Sequence, residues 1–200
     1  MVFDRSAYAW PVLAGLLSVA ARHGGRLNVL DFGGAFGSHY FQNRKFLSGL
    51  RDLRWSIVEQ PHYIEAGRTQ VEDDVLKFYG TIDECLGHTE PNVLLLSAVL
   101  QYLPGPYGLL AELLARQTDT VILDRMPYLH FRDRDRISIQ HVPASIYAAT
   151  YPCRFFVERA VGDVMAVHGY RLVEAFPSVD SLDPTATWKG HVFARRAPVG

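Results

Sequence analysis

Leu27-Asn28-Val29-Leu30-Asp31-Phe32-Gly33-Gly34-Ala35-Phe36-Gly37-Ser38 is the stretch on which the fold turns. Its first half is an apolar run that reads as a strand buried on both faces, ending in an acid. Its second half is a glycine-rich turn leading into a helix. Glycines there permit positive φ and let backbone N–H groups approach a ligand at the end of a sheet. The dinucleotide fingerprint G-x-G-x-x-G requires glycine two and five residues after Gly33, where Ala35 and Ser38 stand, so the register fails for NAD. The spacing present is D-x-G-x-x-x-G, from Asp31 to Gly37. The next apolar run, Trp55 to Glu59, ends in an acid 22 residues beyond Gly37, where a carboxylate accepts hydrogen bonds from ribose hydroxyls.

Outward from this unit the chain alternates strand-like and helix-like segments. Further strands are expected at 75–79, 92–97 and 120–124, and helices at 41–50, 61–73, 107–116 and 154–168. The segments 170–176 and 190–196 are strand-like with only a loop between them, which predicts an antiparallel hairpin closing the sheet. The fold class is therefore α/β, Rossmann-like, with a doubly wound, mostly parallel seven-stranded sheet. The run from Ala7 to Ala21 is nearly uncharged, but it is too short to span a bilayer. Asp4 and Arg5 cancel ahead of it, and its apolar residues Ala9, Val12, Leu13, Leu16, Leu17 and Ala20 repeat at helical spacing, as in a buried helix rather than a secretion signal. Residues 1–25 are expected to form a helical cap, and 125–152 an irregular acceptor-binding or lid insert, within one domain spanning 1–200.

The 200 residues carry 20 Lys and Arg against 21 Asp and Glu, with 48% hydrophobic and 12% aromatic residues. A net charge of −1 excludes broad binding of a nucleic-acid backbone, which needs clustered cations, and favours a small-molecule partner. Cys85 and Cys153 have no CxxC or Cys/His spacing, so neither a disulfide framework nor a structural zinc site is expected, and a reducing cytoplasm is the expected compartment.

The glycine loop, Glu59 and the terminal hairpin together resemble class I S-adenosylmethionine (SAM) dependent methyltransferases. The strings DFGGAFGSHYFQNR, SAVLQYLP, LDRMPY, IQHVP followed by Ser145-Ile146-Tyr147, and TYPCRFF are similar to a family of bacterial methyltransferases associated with surface-polysaccharide and O-antigen gene clusters. The resemblance implies SAM as cofactor, leaving as S-adenosylhomocysteine (SAH). It implies a cofactor site whose glycine loop, Phe32, Gly33, Gly34, Ala35 and Gly37, cradles the methionyl part with Asp31 nearby, with Glu59 at the ribose, Thr81, Ile82 and Asp83 at the adenine, and Gln60, Ser97 and Ala98 also lining the site. Asp83 alternatively caps the helix that follows it.

The acceptor is expected beyond the strand C-termini, lined by Tyr40, Gln101, Tyr102, Arg125, Gln140, Tyr147 and Tyr151. His39, directly after the cofactor loop, is the first candidate for a general base and His141 the second, because imidazole titrates near neutrality. An acidic acceptor would be held by Arg125, Arg132, Arg134 and Arg136, although alternating Arg and Asp there also describe a solvated surface. Metal-dependent catechol-type enzymes place carboxylates where Ser97 and Asp124-Arg125 stand, so no metal is expected. The expected activity is transfer of a methyl group to an oxygen of a saccharide or related intermediate by a monomer or homodimer. Two alternatives stand beside it: an inactive partner or scaffold of the same fold, and a nucleotide-binding oxidoreductase.

Overall fold

The computed structural model describes residues 8–142, 144, 148–178 and 185–197. Its main sheet contains β1 (Arg26–Phe32), β2 (Asp52–Val58), β3 (Leu76–Tyr79), β4 (Val93–Ser97), β5 (Thr120–Leu129), β8 (Tyr170–Pro177) and β9 (Ala186–Arg195), in the order β3-β2-β1-β4-β5-β9-β8. β1 to β5 run parallel, and β9 is antiparallel to both β5 and β8. β1, β4 and β5 are Val- and Leu-rich because both their faces are covered. α1 (Trp10–Arg22), α2 (Ser38–Leu47) and α3 (Pro61–Gln70) share one core with β1 and β2, built on Val12, Leu16, Leu47, Trp55 and Ile57. α4 (Ile82–His88), α5 (Pro106–Leu114) and α6 (Glu158–Val167) cover the opposite face over Leu94, Leu96, Leu110, Val121 and Met126. The sheet order reverses between β1 and β4, which opens a crevice at the strand carboxyl ends. Among the described residues, no helix is long and apolar enough to cross a membrane.

Three sequence expectations are corrected. The insert at 125–152 is not irregular: β5 continues to Leu129 alongside β9, and β6 (Arg136–Val142) pairs antiparallel with β7 (Ala149–Phe155) in a separate two-stranded sheet. Ile137 and Ile139 alternate with polar residues but lie on the exposed side, so the strand has the right period without a buried stripe. β7 also claims Arg154 and Phe155, which moves the start of the following helix to Glu158. The N-terminal helix is α1, which packs on the sheet: a Cβ on Gly15 would lie 3.0 Å from Ile122 Cδ1, and Leu17 points outward while Val19 is buried. α4 is capped by Thr81, whose side chain accepts from the Glu84 N–H, and not by Asp83.

Two packing contacts give measurable consequences. Gly190 faces Phe176 across β8 and β9, and a Cβ there would sit 2.1 Å from the ring. Gly190→Ala is expected to lower unfolding stability by about 1–3 kcal/mol, read from the urea midpoint. On the same hairpin, His191 is 4% exposed with Nε2 2.9 Å from Glu158 Oε1, while Glu158 Oε2 accepts from Lys189 Nζ at 2.6 Å. Burial pushes the His191 imidazole below its ordinary range despite Glu158. Against the upward push of its own burial, bonds from Lys189 and His191 hold the Glu158 carboxyl below its range. Both shifts have one sign: the unfolded chain takes up the proton first, so stability is lost as pH falls below about 6.5. The urea midpoint should therefore drop between about pH 6.5 and 5, and His191→Gln should flatten that drop.

Candidate active site

The glycine loop is bare backbone for steric reasons. Gly33 has φ +74° and a Cβ there would fall 2.5 Å from Val99 Cγ2. A Cβ on Gly34 would fall 2.5 Å from Asp31 Cγ. Gly37, at φ +81°, caps α2 and lies close over Ile57 and Leu76. Beneath the loop Asp31 is 1% exposed, and its Oδ2 accepts from Trp55 Nε1 at 3.0 Å. Burial raises the Asp31 carboxyl above its usual range, against the opposing pull of His39 and the Trp55 bond. At the loop's side Glu59 leaves the end of β2, with Oε1 accepting from the Ala35 N–H at 3.3 Å and Oε2 from the Gln60 N–H at 2.7 Å. Loop and acid thus come together, as the spacing requires.

A second group gathers at the ends of β4 and β5. Ser97 pairs in register with Asp124, whose side chain is 3% exposed. Asp124 Oδ2 accepts from Ser97 Oγ at 3.2 Å, and Oδ1 from Ser178 Oγ at 2.9 Å. His39, the second residue of α2, brings Nε2 to 4.0 Å from Asp124 Oδ2. Gln101 is buried, with Nε2 donating to the Arg125 carbonyl at 3.1 Å. Ala35, Ala98 and Arg125 all take positive φ, at 48°, 53° and 57°. Positive φ thus occurs just after β1 and β4 and at the bend within β5, three neighbouring strands, a pattern that accompanies functional sites.

The expected acceptor residues divide. Tyr102, Gln140 and Tyr151 meet: the Tyr102 hydroxyl donates to Gln140 Oε1 at 3.3 Å, and its ring packs edge-on to Tyr151 at 5.2 Å. Arg125 stands at the bend of β5, its N–H donating to Ser178 Oγ. Tyr40 does not join them and is corrected to a core residue: it is 5% exposed, packs on Trp55 and donates to Asp73 Oδ2 at 2.8 Å, and burial, helped by that bond, pushes the phenol up to about 12. His141 lies on the exposed face of the β6–β7 hairpin, 3.2 Å from Thr150 Oγ1 across the strand pair. Tyr147 lies outside the described residues.

Of the expected adenine residues, Thr81 is spent on capping α4, Ile82 packs against the core, and Asp83 pairs with Arg116 at 2.9 Å. Burial pushes both thiols, Cys85 and Cys153, up to about 11, so neither is a ready nucleophile. No group of three or more His, Cys, Asp or Glu able to hold a metal occurs among the described residues. Sequence reading missed Ser178, Trp55 and Val99. No local signal marks Ser178, which reaches Asp124 across 54 residues, whereas Trp55 was visible as an unusually large polar-tipped residue in a β-branched run.

No family model matches the sequence, and no curated protein is significantly similar to it. Solved structures do match. The N-terminal domain of EvdMO1, in the presence of SAH and D-fucose, superposes with a TM-score of 0.63 at 11% identity, over 98% of this chain and 90% of that one. Magnesium protoporphyrin IX methyltransferase from Synechocystis PCC 6803 with bound SAM gives 0.58 at 10%, over 97% and 87%. The glycopeptide N-methyltransferase MtfA complexed with sinefungin gives 0.57 at 12%, over 92% and 94%. At such identities what is shared is the fold, and it is the fold of SAM-dependent methyltransferases.

Proposed function

We propose that this chain transfers a methyl group from SAM to an oxygen of a small-molecule acceptor, a saccharide or related biosynthetic intermediate. The observation that carries the reading is the Glu59 carboxylate set beside a glycine loop in which any Cβ at Gly33 or Gly34 would collide with its neighbours. A nucleoside joined to an amino acid fits that donor and acceptor set. Glu59 would accept from the ribose hydroxyls, while the Gly33–Gly37 backbone, Asp31, Ser97 and Ala98 would hold the methionyl part. The N-methyltransferase among the similar structures leaves the methylated atom open by fold alone, and His39 at the carboxyl edge supports oxygen, whose proton must be removed.

Bound there, the cofactor supplies a methyl group on a sulfonium, which transfers by in-line displacement. The residues of the chain then have three tasks. Tyr102, Gln140 and Tyr151, from the turn after β4, from β6 and from β7, form an aromatic and polar wall suited to the face and hydroxyls of a sugar ring. The β6–β7 hairpin excludes water on that side. His39 receives the acceptor's proton.

Calorimetry with SAM and SAH tests the cofactor, and SAH release with a panel of sugars and other hydroxyl compounds tests the acceptor. Binding of both ligands with turnover on at least one hydroxyl compound is expected. A folded chain that binds neither ligand overturns the reading, and binding without turnover on any acceptor would favour a scaffold.

A further inference from the structure

We infer that Asp124 is the positioning residue of His39, fixing the ring so that Nε2 carries its hydrogen and Nδ1 is the atom that accepts a proton. The inference deepens the methyltransferase reading and rests on it only for what His39 serves.

Asp124 occupies the last position of β5 before the strand bends, and both its oxygens are already held. Ser97 Oγ donates to Oδ2 and Ser178 Oγ to Oδ1, while Ser178 in turn accepts from the Arg125 N–H at 3.0 Å. These bonds tie the carboxylate to β4 and to the segment leaving β8, so its plane cannot turn. A carboxylate buried to 3% with only hydroxyl donors is costly unless a cation or a polarised N–H faces it. The group that faces it is His39 Nε2, at 4.0 Å.

His39 sits in the first turn of α2. Its side chain is 14% exposed. The acidic groups around it come from two strands: Asp124 from β5, and Asp31 from β1 with Glu59 behind it. A neutral imidazole beside a fixed carboxylate turns its N–H toward that carboxylate, here from Nε2. Nδ1 then bears the lone pair, and it is buried with no hydrogen-bond partner among the described residues. Such an orphan acceptor at a sheet's ligand edge awaits a donor. An acceptor hydroxyl supplies one. Its proton passes to Nδ1 while the oxygen bonds the methyl carbon, and the carbon–sulfur electron pair stays on sulfur. The ring becomes imidazolium, with Asp124 stabilising the charge at Nε2.

Long-range proton–nitrogen NMR correlation on the full chain reads both ring nitrogens directly. In the wild type the hydrogen of neutral His39 should be on Nε2. Asp124→Asn should lower the His39 titration midpoint by about one pH unit, and Ser178→Ala should move it the same way by less. SAM, whose sulfonium is positively charged, should depress that midpoint relative to neutral SAH by at least about half a pH unit. A merely structural bridge would not respond to that difference. A hydrogen found on Nδ1, or a midpoint unmoved in both Asp124→Asn and Ser178→Ala, would overturn the inference, and identical midpoints with SAM and SAH both bound would overturn the role assigned to Nδ1. Ser178→Ala and Ser97→Ala keep the test open should Asp124→Asn not fold. If calorimetry shows that the folded chain binds neither SAM nor SAH, the methyltransferase reading fails, and with it the role assigned to Nδ1. The tautomer measurement still decides the Asp124–His39 pairing separately.

Discussion

With Glu59→Ala, affinity for SAH is expected to fall by about 100-fold or more, with the chain still folded. Each hydrogen bond to a carboxylate is worth about 1.5–3 kcal/mol, and about 1.4 kcal/mol is tenfold in affinity, so losing two ribose bonds suffices. The cost to stability should be small because Glu59 lies beyond the end of β2, only partly covered, and its carboxylate accepts from the Ala35 and Gln60 N–H groups. Those N–H groups sit at the open carboxyl edge, where water can replace the carboxylate. Calorimetry on wild type and variant, with urea unfolding as the control, measures both quantities. A loss of less than about fivefold would remove Glu59 from the cofactor site.

Gly34→Ala should act in the opposite proportion, with a large effect on stability as well as on binding. The added methyl lies 2.5 Å from Asp31 Cγ and 2.6 Å from its Oδ2, and that carboxylate cannot retreat because it is buried and bonded to Trp55. Something in the loop or the strand must move, at about 1–3 kcal/mol for overpacking of this kind. Truncating the obstacle tests the cause: in the Asp31→Ala background the same Gly34→Ala change should cost at least about 1 kcal/mol less, a coupling that appears only when two residues share the contact. Additive costs would mean that the conflict lies elsewhere in the loop. SAH binding should be lost in the single variant, since the loop backbone can no longer lie flat against Asp31.

Asp31 links these results to function. Its carboxyl is raised by burial, with Gly34 packed directly against it. Trp55 supplies the donor that makes this tolerable, from the strand next to β1.

Local sequence was a sound guide where one strand and the turn after it are both written consecutively. β1 and the Gly33–Gly37 turn follow from an uninterrupted apolar run and glycines whose positive φ no other residue adopts cheaply. Glu59 was legible for the same reason, as the polar residue that ends a buried run. The β6–β7 hairpin was not. Its period of two was present, but the exposed side carries Ile137 and Ile139, so hydrophobicity no longer told which face was inside. Tyrosines were sorted only by packing: Tyr40 and Tyr102 look alike in sequence, yet the ring of Tyr40 is buried with its hydroxyl reaching out to the exposed Asp73, while Tyr102 donates to Gln140.

The sequence by itself determined the parallel core, the glycine turn and the acid that faces it, because each depends on neighbours within a few residues. Only the tertiary structure decided that His39, Ser97, Asp124 and Ser178 form one group, since they come from α2, β4, β5 and the end of β8. Their meeting depends on strand order and register, and those are set by how whole apolar faces pack against one another.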